Sequence, residues 1–85
     1  MSRTRVPLSI REAVIFRDGG VCYICNCSLN RYEITLDHIV PRFYGGKNTF
    51  DNLKVCCHDC NRLKSAYPCT DNNIRLIRKV RGITD

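Results

Sequence analysis

LDHIVPRFYGGKNTFDNLKVCCHDCNRLK, Leu36 to Lys64, decides the fold of this 85-residue chain. It holds the pair Asp37 and His38, the asparagines Asn52 and Asn61, and a CxxC formed by Cys57 and Cys60, which Cys22 and Cys25 answer upstream. Asp37 and His38 interrupt the apolar run Ile34, Leu36, Ile39, Val40, and a polar pair in such a run is costly without a partner or a chemical task. Two CxxC pairs about 30 residues apart supply the four ligands of a tetrahedral zinc and close a long loop in a small domain. Cys27 and Cys56 adjoin these ligands and leave the register open. The pairs Cys22/Cys25 and Cys57/Cys60 are preferred because both keep the two-residue gap, and Cys69 reads as a spare thiol.

The chain has room for one domain, residues 1–85, and folding at this size leaves so much surface exposed that a staple is expected. Its seven cysteines do not form an even disulfide set, and the opening MSRTRVPLS has no apolar core of signal-peptide length. A reducing, cytoplasmic setting is therefore expected, where clustered cysteines hold zinc more often than they pair. The formal net charge of +6 favours a polyanionic partner. Four thiolates around one Zn²⁺ carry a formal −2, which leaves about +4 and keeps that preference. No apolar run approaches the roughly 18 residues of a spanning helix, so no membrane role is expected.

Outward from the central stretch, residues 1–8 read as a basic arm that ends near Pro7. A helix is predicted over 9–18, with Ser9 and Glu12 at capping-box spacing, an apolar stripe of Ile10, Ala13 and Val14, and Gly19 and Gly20 as its stop. A strand is predicted from Tyr32 to Val40, with Tyr32, Ile34 and Leu36 on one side and Pro41 at its end. A second, Leu53 to Cys56, pairs antiparallel with it if the glycine loop folds back. A helix from Asp59 to about Ala66 completes a zinc-supported core over 22–66. A last helix, 71–81, is capped by Asp71 and terminated by Gly82.

A four-thiolate zinc has no open coordination position, so chemistry must lie elsewhere. Asp37 offers a hard carboxylate for a divalent cation, and His38 an imidazole suited to general-base work near neutrality. Successive strand residues point to opposite faces, so the strand must end or bend there for both to serve one site. Asn61 offers an amide oxygen to the same ion. This sparse oxygen set fits Mg²⁺ or Mn²⁺ that keeps waters and binds a substrate phosphate. Singly, each residue has a plainer role: Asp37 as a turn cap, His38 as a core histidine, Asn61 as a helix-start residue. Their joint position around a zinc frame favours metal-assisted cleavage of a nucleic-acid phosphodiester.

The order CxxC, DHIVP, GGxNxxDNL, CxxCNxxK runs as Cys22 to Cys25, Asp37 to Pro41, Gly45 to Leu53 and Cys57 to Lys64, and in it the sequence resembles the HNH endonuclease family. The resemblance implies an α+β fold, a small zinc-stapled ββα-metal (His-Me finger) core with flanking N- and C-terminal helices. It implies His38 as general base, Asp37 and Asn61 as ligands of a catalytic cation, Asn52 as the brace of the loop between the strands, and the cysteines as a structural zinc. Asn61 stands where many members have histidine. Arg42, Lys47, Arg62 and Lys64 are candidate phosphate contacts, and the substrate is expected to be double-stranded DNA, nicked with weak sequence specificity. Two alternatives stand beside this reading. One is a non-catalytic zinc module that binds nucleic acid; the other is an accessory nuclease that works within a phage packaging or mobile-element assembly.

Overall fold

Two antiparallel strands carry the fold in the computed structural model, which describes residues 6–65 and 67–83. The first five residues of the expected basic arm, and Ala66 at the end of the expected core helix, lie outside the described residues. Strand β1 (Ile34–His38) meets β2 (Leu53–Cys57) in a register that sets Leu36 opposite Val55 and Asp37 opposite Lys54. Helix α1 (Leu8–Asp18) precedes them, α2 (His58–Lys64) follows directly on β2, and α3 (Asp71–Val80) ends the described chain. Two 3-10 turns, Arg42–Tyr44 and Phe50–Asn52, shape the loop between the strands. Strand, loop, strand and helix around a four-cysteine cluster make the zinc-stapled ββα arrangement of the α+β class.

Alternation along β2 sends Leu53 and Val55 to one small core and Cys56 to another. On one side Val14 of α1 is buried with Ile34, Leu53 and Val55. On the other, Cys22, Ile24, Cys56 and Cys60 pack with Ile77 of α3. Neither core is large, which is the physical reason that a metal staple matters here. Val55 turns both backbone groups away from β1: its N–H donates to Asp18 Oδ2 at 2.9 Å, and its carbonyl accepts from Tyr23 N at 3.1 Å. The outer edge of β2 is thereby covered by α1 and by the first cysteine knuckle.

Several boundaries differ from the sequence-based expectations. The first strand is shorter because the Asn30 side chain accepts the N–H groups of Tyr32 and Glu33, at 2.8 and 3.1 Å, and folds residues 30–33 into a turn. Tyr32 is thus outside the strand and 93% exposed. The Ser9–Glu12 capping box does not form. Helix α1 begins one residue earlier, the Pro7 carbonyl accepts the N–H groups of Ile10 and Arg11, and the Glu12 carboxylate pairs with Arg31 at 2.9 Å. Ala13 is exposed, and Ile10 and Ile15 flank buried Val14 instead. Thr70, not Asp71, caps α3, its Oγ1 accepting from Asn73 N at 3.2 Å. Among the described residues no helix is long and apolar enough to cross a membrane.

Candidate metal centre and active-site cleft

The sulfurs of Cys22, Cys25, Cys57 and Cys60 lie within 4.8 Å of one another. A zinc with ligands at about 2.3 Å sets tetrahedral sulfurs about 3.8 Å apart, and the Cys25 and Cys57 sulfurs are 3.8 Å apart. The four sulfurs brought together are those of the two CxxC pairs, a cluster that could hold a metal ion. Strand alternation is the reason: Cys56 and Cys57 are successive residues of β2, and Cys57, the last, also caps α2 through Cys60 N–H to Sγ at 3.4 Å. Cys56 is buried beside Cys22, their sulfurs 3.9 Å apart. The contact between these sulfurs draws the Cys22 pKa down, to about 3, and pushes that of Cys56 up. Arg81 donates to the sulfurs of Cys60 and Cys57, at 3.0 and 3.2 Å, and sets a cation against the thiolate cluster. Its neighbour in the helix, Arg78, donates to the Ile24 carbonyl. Both side chains thus tie the end of α3 to the knuckles.

Across the sheet, an open cleft of about 370 Å³ is lined by Asp37, His38, Arg42, Asn61 and Ser65. Asp37 and His38 are adjacent, yet both reach it because β1 ends at His38 and the chain turns at Pro41. Asp37 is 3% exposed. Its Oδ1 accepts from Lys64 Nζ at 3.1 Å and its Oδ2 from the Tyr23 hydroxyl, two of the roughly four lone-pair positions of a carboxylate. Lys64 also donates to the His38 carbonyl at 3.3 Å.

Asn61 owes its orientation to Thr35. The Thr35 hydroxyl gives its one proton to the Cys56 carbonyl at 2.7 Å, so its oxygen can only accept from Asn61 Nδ2, which lies 3.0 Å away. One of the two amide N–H groups is thereby engaged, which fixes the side chain at the rim of the cleft. His38 Nε2 lies 2.7 Å from Asn48 Oδ1. With an acceptor facing it, Nε2 carries the ring proton and Nδ1 is the basic nitrogen. An anionic carboxylate and a neutral amide oxygen on one cleft are hard donors of the kind a divalent cation takes.

The loop opposite is held by Asn52. Its Oδ1 accepts from Val40 N at 2.8 Å, and its Nδ2 donates to Val40 O at 3.2 Å and Lys47 O at 2.9 Å. These bonds draw the chain so close that only hydrogen fits on Gly46: a Cβ there would lie 1.7 Å from the Val40 oxygen.

The expected phosphate contacts divide. Arg42 and Lys47 are exposed on the loop that carries Asn48, and Arg62 is exposed on α2, 3.6 Å from Asp59. Lys64 differs from the expectation: it is 1% exposed, and its ammonium is turned to Asp37, not to solvent. The sequence alone assigns no role to Tyr23, Thr35 or Asn48. Asn48 sits in the quoted GGxNxxDNL, and Thr35 lies two residues before Asp37, hence on the same strand face; Tyr23 carries no local signal.

The sequence model of the HNH endonuclease family matches residues 22–67, just over half of the chain and the span from the first knuckle to just beyond α2. No curated protein matches the chain.

Proposed function

Because the chain belongs to the HNH endonuclease family, we propose that it hydrolyses DNA phosphodiesters with a divalent cation in the Asp37–His38–Asn61 cleft, cutting one strand at a time. One observation supports this above the others: the three residues, from the end of β1 and the first turns of α2, line a single cleft beside Arg42. His38, with its Nε2 proton held on Asn48, takes a proton from water at Nδ1 as general base. Asp37 and Asn61 would hold Mg²⁺ or Mn²⁺, which supplies Lewis-acid stabilisation of charge on the phosphoryl and departing 3′ oxygens. Lys64 holds the Asp37 carboxylate in place from behind. Asn52 holds the loop that carries Asn48, the partner of His38.

Arg42 and Lys47 are the leading phosphate contacts, since both are exposed on the same loop as the partner of His38. Contacts of this kind fix a duplex without reading its bases, so the proposed cleavage is weakly specific. A single cation centre acts on one strand per encounter, which makes the product a nick. The proposed compartment is the cytoplasm, where seven reduced cysteines persist.

The test is relaxation of supercoiled plasmid by zinc-loaded protein in Mg²⁺, Mn²⁺ or EDTA. The parent is expected to nick with either cation and not in EDTA, and His38→Ala to lose nicking while zinc content and thermal unfolding stay parental. Nicking by His38→Ala at the parental rate, or an inactive parent, overturns the reading.

A further inference from the structure

Tyr23 occupies the gap of the first zinc knuckle, between Cys22 and Cys25, yet its hydroxyl donates to Asp37 Oδ2 at the cleft. The side chain is held from several directions. Its backbone N–H donates to Val55 O at 3.1 Å, and the Lys54 ammonium stands over its ring, 5.8 Å from the centroid. Lys54 is also the residue that β2 sets opposite Asp37. The other carboxylate oxygen belongs to Lys64, on the helix that carries both Asn61 and the ligand Cys60. Asp37 is therefore gripped by one residue from each zinc knuckle's own element.

We propose that Tyr23 is a positioning residue, which aims the Asp37 carboxylate at the divalent cation and makes cation affinity depend on the zinc knuckle that carries it. The proposal rests on the reading of the cleft as a cation-binding nuclease centre. A carboxylate swivels about its Cβ–Cγ bond, and Lys64 meets it at Oδ1 as a compact point charge about which the group can still pivot. A second donor on Oδ2 fixes the plane and with it the lone pairs that face the cleft. Partners of this kind, one bond removed from a metal, commonly change its affinity by about 10–100-fold.

Tyr23→Phe keeps the ring in the knuckle and removes only the hydroxyl. Mn²⁺ binding by calorimetry, on zinc-loaded parent, Tyr23→Phe and Asp37→Ala, reads the effect without reference to cleavage. Tyr23→Phe is expected to keep one zinc per chain and to raise the Mn²⁺ dissociation constant about tenfold. 3-Fluorotyrosine at position 23, which restores a hydroxyl, is expected to recover parental binding. Parental affinity in Tyr23→Phe, with Mn²⁺ binding that Asp37→Ala abolishes, overturns this proposal and leaves the nuclease reading intact. Loss of zinc from Tyr23→Phe would make the residue structural and overturns it as well. A parent that binds no Mn²⁺, or binds it equally without Asp37, overturns the nuclease reading and the proposal together.

Discussion

Lys64 Nζ lies 3.1 Å from Asp37 Oδ1, and the two side chains are 0% and 4% exposed, so the charge of each is balanced by the other. Removing one member of such a pair leaves the other buried and uncompensated, at a cost of about 3–5 kcal/mol. Lys64→Met is expected to lose that much stability in urea unfolding of the zinc-loaded protein. Adding Asp37→Asn to it is expected to recover most of the loss. Additive losses in the double variant would contradict the coupling.

The loop over the cleft depends on a backbone contact that no side chain can replace. A Cβ on Gly46 meets Val40 O at 1.7 Å and Asn52 Nδ2 at 3.0 Å, whereas one on Gly45, at φ +89°, meets nothing within 4 Å. Gly45→Ala is expected to cost about 1 kcal/mol through backbone strain alone. Gly46→Ala is expected to cost more than that and to reduce plasmid nicking at least about tenfold by pushing Asn52 off Val40. Zinc content should be parental in both. Equal behaviour of the two variants would argue against the close approach.

Adjacent cysteines on β2 should respond differently to the same substitution. Cys57→Ala is expected to bring zinc below one per chain and to unfold the protein, since the metal's binding energy is folding energy in so small a domain. Cys56→Ala is expected to keep one zinc and to lose only packing beside Cys22. Metal analysis of the purified variants decides between them, and equal zinc loss would contradict the ligand set.

Asp18 makes a pH-dependent contribution to the stability of the fold. Burial raises its pKa, but the Arg17 guanidinium and the Val55 N–H outweigh that and hold it below the ordinary 3.8. A group depressed on folding stabilises the native state above its unfolded pKa and loses that contribution as pH falls through the folded value. Asp18→Asn is therefore expected to be less stable than the parent at neutral pH, with the gap narrowing below about pH 4. Paired chemical-denaturation series across pH, with zinc saturating, check the sign; a gap that widens in acid would reverse it.

Leu36 to Lys64 was the legible part of the chain because its signals are local. A CxxC is a tight turn in itself, and the apolar alternation around Leu36 and Val55 names the strands. What escaped depends on partners far along the chain. Ser9 and Glu12 have capping spacing, yet Arg31 takes the glutamate and Pro7 supplies the first acceptor. Lys64 reads as a phosphate contact in isolation and becomes buried only because α2 lies across β1, with Asn61 and Lys64 one turn apart above Thr35 and Asp37. Tyr23 bonds Asp37 through tertiary packing alone, which no spacing encodes.

That Cys57 closes β2, caps α2 and belongs to the metal cluster has one more consequence. A slip of one residue between the strands turns every side chain to the opposite face. It would present Cys56 where Cys57 belongs and would face Asp37 away from Lys64 and Tyr23 at the same moment. A zinc held by this cluster would thereby proofread strand pairing: only the alignment that brings its four sulfurs together also sets Asp37 against Lys64 and Tyr23.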